Sequence, residues 1–184
     1  MKSIKIVCIS SGIRKQSNSQ AVMSSVIELI SDRATCSQLP IGAYPHYSQD
    51  LEQDALPELI HQARALIEDC DAVIIVTSEY NHGIPGVLKN ALDWLSRPVR
   101  ASAMKHKPVL FISQSTGALG GVRAQYQLRE TLSSMLCELV PLPEITIASI
   151  ANKIVNGKLQ DEKAQQFMAT QLNEFLTVIS NKKE

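Results

Sequence analysis

Apolar positions along the chain follow two periods. Residues 4–9, interrupted only by Lys5, and residues 72–76 and 109–112 are short apolar runs rich in Val and Ile, the pattern of strands covered on both faces, as in a parallel sheet. Between them the spacing becomes helical: Val22, Val26, Leu29 and Ile30; then Leu59, Ile60, Ala63, Leu66 and Ile67; then Val87, Leu88, Ala91, Leu92 and Leu95; then Ala124, Leu128 and Leu132. The clearest helix is the last. Ala164, Phe167, Met168, Gln171, Leu172, Phe175, Leu176 and Ile179 recur on one face, and Asp161 stands where an N-cap is expected.

Weaker strand patterns at residues 35–39 and 137–142 complete a five-strand β-α repeat over a single domain, residues 1–184. Right-handed crossovers turn such a repeat into a doubly wound, three-layer α/β/α sandwich. The predicted architecture is flavodoxin-like, a five-stranded parallel sheet of strand order 2-1-3-4-5. Ligands of these sheets bind beyond the carboxyl ends of the strands, where the winding reverses. Three connections follow the predicted central strands: residues 10–19, 78–86 and 114–121.

Composition narrows the partners. Lys+Arg 18 balance Asp+Glu 18, so the broad positive field that nucleic acid or an anionic membrane requires is missing. Apolar runs fall short of the roughly 20 residues that span a bilayer, and the first residues do not read as a signal peptide. Neither nucleic acid nor membrane is an expected partner, and a cytoplasmic location is expected. Cys8, Cys36, Cys70 and Cys137 lack metal or dithiol spacing, and so do the four histidines; free thiols and no metal site are expected.

The connection after the first strand holds Ser11, Arg14, Ser17, Asn18 and Ser19 just ahead of a helix. Backbone N–H groups at a helix start favour an anion, and charge-assisted bonds of roughly 1.5–3 kcal/mol each could hold a phosphate there. Alternatively, Ser17 or Ser19 caps the helix and Arg14 is solvated. Neither G-x-G-x-x-G nor G-x-x-x-x-G-K-[ST] occurs, which removes the dinucleotide turn and the P-loop. Residues 114–121 include three glycines, which admit close approach of a flat molecule. The third connection reads Ser78-Glu79-Tyr80-Asn81-His82-Gly83-Ile84-Pro85-Gly86, more polar than a turn alone needs. Together the loops describe a phosphate pocket beside two segments that flank a planar heterocycle, a site for flavin mononucleotide (FMN).

Here the chain resembles the NAD(P)H-dependent FMN reductases of flavodoxin-like fold, which include quinone, azo-dye and chromate reductases. The resemblance is carried by Arg14-Lys15-Gln16-Ser17, by residues 79–94 (Glu-Tyr-Asn-His-Gly-Ile-Pro-Gly-Val-Leu-Lys-Asn-Ala-Leu-Asp-Trp) and by Gly120-Gly121-Val122-Arg123-Ala124-Gln125. It implies that Arg14, Ser17 and Ser19, with Ser11 nearby, hold the FMN phosphate. It also implies that Glu79, Tyr80 and Asn81 bracket the isoalloxazine while Ser115, Thr116 and Gly117 line its other side. The chain departs from the family pattern at Gly12, Ser19, Ser78 and Gly83, where serine, asparagine, proline and serine are common.

The implied reaction is ping-pong. NADPH or NADH reduces the flavin, then a small-molecule acceptor such as a quinone or azo compound takes two electrons; the flavin carries the chemistry, so no catalytic side chain is expected. Glu79 reads as a cap or ion-pair partner ahead of a general acid. A flavodoxin-type electron carrier is the alternative, and a nucleotide-sensing module is a third reading. The helix at residues 87–95 bears an apolar arc of roughly 160°, wider than the ~100° stripe a sheet requires. That excess, with the resemblance, implies a homodimer or a tetramer, for which Arg123, Tyr126 and Glu144 are further interface candidates. Residues 40–56 are read as a pocket wall or an ordinary surface loop.

Overall fold

The computed structural model describes residues 3–182. Strand β1 (Ile4–Ser10) leads through helix α1 (Asn18–Leu29) to β2 (Ala34–Gln38). The chain then passes through the short α2 (Gln49–Asp54) and α3 (Glu58–Asp69) to β3 (Ala72–Ser78). Helix α4 (Gly86–Leu95), β4 (Pro108–Gln114) and α5 (Val122–Ser134) follow, and then β5 (Glu138–Leu139) and β6 (Ile145–Ile147). A small antiparallel pair, β7 (Ile154–Val155) and β8 (Lys158–Leu159), precedes α6 (Glu162–Asn181).

The main sheet is parallel and ordered β2-β1-β3-β4-β5, the predicted order, with β6 also pairing β4. Alternate side chains of each strand enter opposite cores, because successive residues of a strand point to opposite faces. Val7, Ile9, Val73, Ile75 and Val109 pack with α3, α4 and α5. Ile6, Cys8, Ile74, Val76 and Ile112 pack with α1 and α6. Residues 72–76 are fully buried, and each Val or Ile there contributes about 1.5–3 kcal/mol of transfer free energy. The Asp161 cap is present: its Oδ1 accepts the Ala164 N–H at 2.8 Å.

Three expectations need correction. The predicted strand at residues 137–142 is broken: β5 pairs with Pro108 and Val109, and β6 resumes beside Ile112–Gln114. Pro141 and Pro143 lie in the gap, and a residue without an N–H cannot continue the ladder. Phe167, Leu59 and Leu66, assigned to buried helix faces, are 43%, 36% and 41% exposed.

The third correction concerns α4. Its wide apolar arc is covered within the chain: Leu88, Ala91, Leu92, Trp94 and Leu95 are all buried. The cover is the 40–56 connection, which folds against α4. Trp94 Nε1 and Asn90 Nδ2 both donate to the Pro45 carbonyl, at 2.8 and 3.0 Å, and Asn90 Oδ1 accepts the Tyr47 N–H at 2.8 Å. The Tyr47 ring meets Trp94 edge-on, 5.0 Å between centroids. The arc therefore carries no argument for a second subunit.

Candidate functional site: a cavity at the carboxyl edge of the sheet

Strands β1, β3 and β4 end side by side, Ser10 opposite Val76 and Ser78 opposite Gln114. Each apolar run finishes in polar residues there. The Ser78 N–H donates to Ser11 Oγ at 3.0 Å; that hydroxyl lies 3.4 Å from both Ser78 Oγ and Ser19 Oγ, and Gln114 Nε2 donates to Ser19 Oγ at 2.9 Å. This chain of bonds joins three strand ends to the first turn of α1. It underlies a cavity of about 610 Å³, within the ~300–1,000 Å³ usual for small-molecule sites.

One end of the cavity is the start of α1. Ser17 has extended backbone and its Oγ accepts the Gln20 N–H at 3.3 Å, so the helix-cap role open in the sequence is real for Ser17. A capping hydroxyl keeps its own proton for a ligand. Arg14 is exposed and lines this end with Ser17, Asn18 and Ser19. A guanidinium, hydroxyls and first-turn N–H groups together suit a phosphate.

The other end is walled by two loops. In the first, Tyr80 and Gly83 exchange backbone bonds of 2.9 and 3.0 Å around Asn81 and His82, whose φ angles are 49° and 65°. Both central residues at positive φ define a type I′ turn. Glu79 turns away from solvent. Its Oε2 accepts the N–H groups of Arg123 and Ala124 at 3.0 and 3.3 Å, and its Oε1 lies 3.5 Å from the Arg123 guanidinium. Glu79 thus caps α5, whose entry residue Gly121 has φ 83° and offers no capping side chain of its own. The structural role expected of this carboxylate is the observed one.

The second loop, residues 115–117, is held from behind. Ser115 N–H donates to Ile147 O, and Ile150 and Ser149 N–H donate to Ser115 O and Gly117 O, at 3.0–3.1 Å. The segment from β6 onward, which the sequence left without a diagnostic role, is the buttress of this wall.

Of the residues named from sequence, Ser11, Arg14, Ser17, Ser19, Glu79, Tyr80, Ser115 and Thr116 line the one cavity. Asn81 and Gly117 do not. Asn81 occupies the exposed turn corner, and the Gly117 N–H folds back onto Ser115 Oγ at 2.9 Å. Sequence reasoning missed Gln114 and the α4 entry Pro85, Gly86 and Val87, which also line the cavity. Gln114 had a signal, a large polar residue closing a buried strand, 4% exposed. No described residue of 40–56 lines the cavity, so its reading as a pocket wall is set aside.

A parallel sheet of this order, with a cavity at its winding reversal, defines the flavodoxin-like class of α/β proteins. The NADPH-dependent FMN reductase family matches residues 4–152, and the chain belongs to that family of oxidoreductases. A Pseudomonas aeruginosa NAD(P)H-dependent FMN reductase is 34% identical over 170 residues, 92% of this chain and 91% of the relative. A 2-hydroxy-1,4-benzoquinone reductase of Burkholderia sp is 32% identical over 181 residues, 98% of each chain. Among solved structures, FerB, a flavoenzyme NAD(P)H:(acceptor) oxidoreductase from Paracoccus denitrificans, superposes with TM-score 0.88 at 32% identity, covering 97% of this chain and 98% of its own.

Proposed function

We propose that the protein is an NAD(P)H-dependent FMN oxidoreductase that reduces quinones or related small acceptors, with the phosphate held at the start of α1 and the ring between the 79–83 and 115–117 loops. The observation that carries this reading is the convergence of all three loops on one cavity, with an anion-binding helix start at one end. The donor set suits the group. Arg14 and the Ser17 and Ser19 hydroxyls complement a phosphate, and the buried Ser11–Ser19–Gln114 chain below them offers fixed hydrogen-bonding groups to a polyhydroxylated linker.

When bound, FMN supplies the centre that accepts hydride from NAD(P)H and returns two electrons to the acceptor. The protein's own share is binding and orientation. Arg14 neutralises charge, the Ser78–Ser11 bond fixes two loop bases, and the Tyr80–Gly83 turn sets the wall. An exposed Tyr80 leaves its ring free to meet a second aromatic ligand, and aromatic pairs contribute about 0.5–1.5 kcal/mol beyond burial.

The absorbance spectrum of the protein reconstituted with FMN, followed anaerobically as NADPH or NADH is added, tests the reading. Bleaching of the bound flavin and its recovery on adding a quinone are expected; a protein that binds no FMN, or bound flavin that neither nucleotide bleaches, refutes it. A carrier that only shuttles single electrons is disfavoured, since Lys+Arg 18 against Asp+Glu 18 leave no net charge for steering a protein partner. The reading includes a cytoplasmic location and a homodimer. Tyr126 and Leu119, 59% and 55% exposed, are apolar side chains on and before α5, and light scattering should give twice the 20.2 kDa chain mass.

A further inference from the structure

We propose that Gln127 is a positioning residue for the flavin site, fixing the turn that carries Tyr80 by accepting the Ile84 N–H, and that Gly83 is glycine to let it do so; this rests on the FMN reading above.

The geometry joins two walls that the sequence separates. Helix α5 leaves the 114–121 loop directly, so its first turns move with that wall. The 79–84 segment is tied to the helix at two levels. Glu79 accepts the Arg123 and Ala124 N–H groups at 3.0 and 3.3 Å, and the Ile84 N–H donates to Gln127 Oε1 at 2.7 Å. Residues 123 and 127 are four apart, just over one helical turn and roughly 6 Å along the axis. The two ties bracket the Tyr80–Gly83 turn and hold it against rotation about either one.

Gly83 makes the second tie possible. A Cβ at this position would stand 2.5 Å from Gln127 Oε1, inside any ordinary contact, so an alanine there displaces the amide from the Ile84 N–H. Gly83 has no positive φ, so it is close approach to the Gln127 amide, and not backbone freedom, that a side chain there would disturb. Gln127 is exposed on the helix and lines no part of the cavity; its effect on a ligand can pass only through the turn.

FMN titration of the apoprotein by fluorescence quenching, with thermal melting alongside, tests the proposal on Gln127→Ala, Gln127→Met, Gly83→Ala and the Gly83→Ala/Gln127→Ala pair. Met matches the length of Gln without its acceptor oxygen. Both Gln127 variants are expected to bind FMN about three- to tenfold more weakly, the size of one lost net hydrogen bond. Gly83→Ala is expected to weaken binding similarly alone and to add little in the Gln127→Ala background. FMN affinity equal to the parent's in both Gln127 variants overturns the proposal, whatever their melting temperatures. So does a full additive loss in the double variant. A parent that binds no FMN sinks the function reading and the proposal together, whereas parent-like variants of a parent that binds sink the proposal alone.

Discussion

Placing serine at Gly12, as is common in the family, is expected to damage both the fold and the flavin site of this chain. The Gly12 backbone has an ordinary φ, so the obstacle is space. A Cβ built there falls 1.6 Å from Ser17 Oγ and 2.6 Å from Ser17 Cβ. The hydroxyl can rotate away, at the cost of its bond to the Gln20 N–H; the Cβ cannot rotate. To regain an ordinary 3.4 Å contact it must retreat by 3.4 − 2.6, or 0.8 Å, carrying the loop with it. Loss of an N-cap costs about 1 kcal/mol, and overpacking about 1–3 kcal/mol. The sum, roughly 2–4 kcal/mol, lowers the melting temperature by roughly 4–16 °C in a chain of this size. Displacing Ser17 also moves a hydroxyl proposed to hold the phosphate, so about tenfold weaker FMN binding is expected, equivalent to about 1.4 kcal/mol. Circular dichroism melts and flavin fluorescence titration measure the two effects. The sharper assay is the swap Gly12→Ser/Ser17→Gly. Glycine at an N-cap costs only a few tenths of a kcal/mol, so the swap should melt close to the parent. A Gly12→Ser protein with parental melting and affinity, or a swap no better than the single change, refutes the reasoning.

Glu79→Ala removes two hydrogen bonds from the start of α5 and should cost about 1.5–3 kcal/mol in urea unfolding. Glu79→Gln keeps an acceptor and should retain most of that stability, with a pH profile of kcat/KM shaped like the parent's; a lost limb would revive the general-acid role. At Asp161 the Ala164 N–H, aided by Lys153, holds the carboxyl below its ordinary range. A depressed folded-state value means its stabilisation is present above the unfolded carboxylate range, near pH 4, and fades as pH falls through the folded value. Melting temperatures measured from pH 7 to 2 should therefore fall more steeply for the parent than for Asp161→Ala.

The sheet was legible because β1 beyond the exposed Lys5, β3 and β4 are buried on both faces and so read as apolar runs. Handedness led to the doubly wound sandwich, and the order 2-1-3-4-5, one of two common for such sheets, is the one observed. The fifth strand was not legible at its true bounds, since Val140 continues the apolar pattern while the prolines that interrupt pairing lie just beyond it. Ser11, Ser17 and Ser19 could be named because the resemblance singled them out of a hydroxyl cluster that helix capping alone would also explain, and Ser17 does cap α1. Gln114 and Gln127 could not be given roles, because the partners that define them are 95 and 43 residues away in the chain. Exposed Phe167 shows the limit of periodicity, which finds a helix face but not the edge at which packing stops.

The long motif at residues 79–94 divides in two. Its first half, through Val87, holds the residues that line the cavity or are tied to α5, with Asn81 and His82 at the exposed turn. Its second half faces away: Asn90 and Trp94 hold the Pro45 carbonyl, and Lys89 pairs with Asp93 along the helix surface at 2.6 Å. A stretch that reads as one ligand signature is therefore a cavity loop followed by a latch. The latch holds residues 45–47, which lie between β2 and α2 and have no sheet partner of their own, against α4. Three of their backbone hydrogen bonds go to Asn90 and Trp94, and Tyr47 supplies an aromatic face to the indole. Because α4 starts at the cavity wall and is clamped at this distant end, the loop that presents Tyr80 is anchored on both sides, by α5 through Glu79 and Gln127 and by α4 through its buried face. Rigidity of that loop is thus a property of two helices, and a flavin seated there would meet a wall already in place.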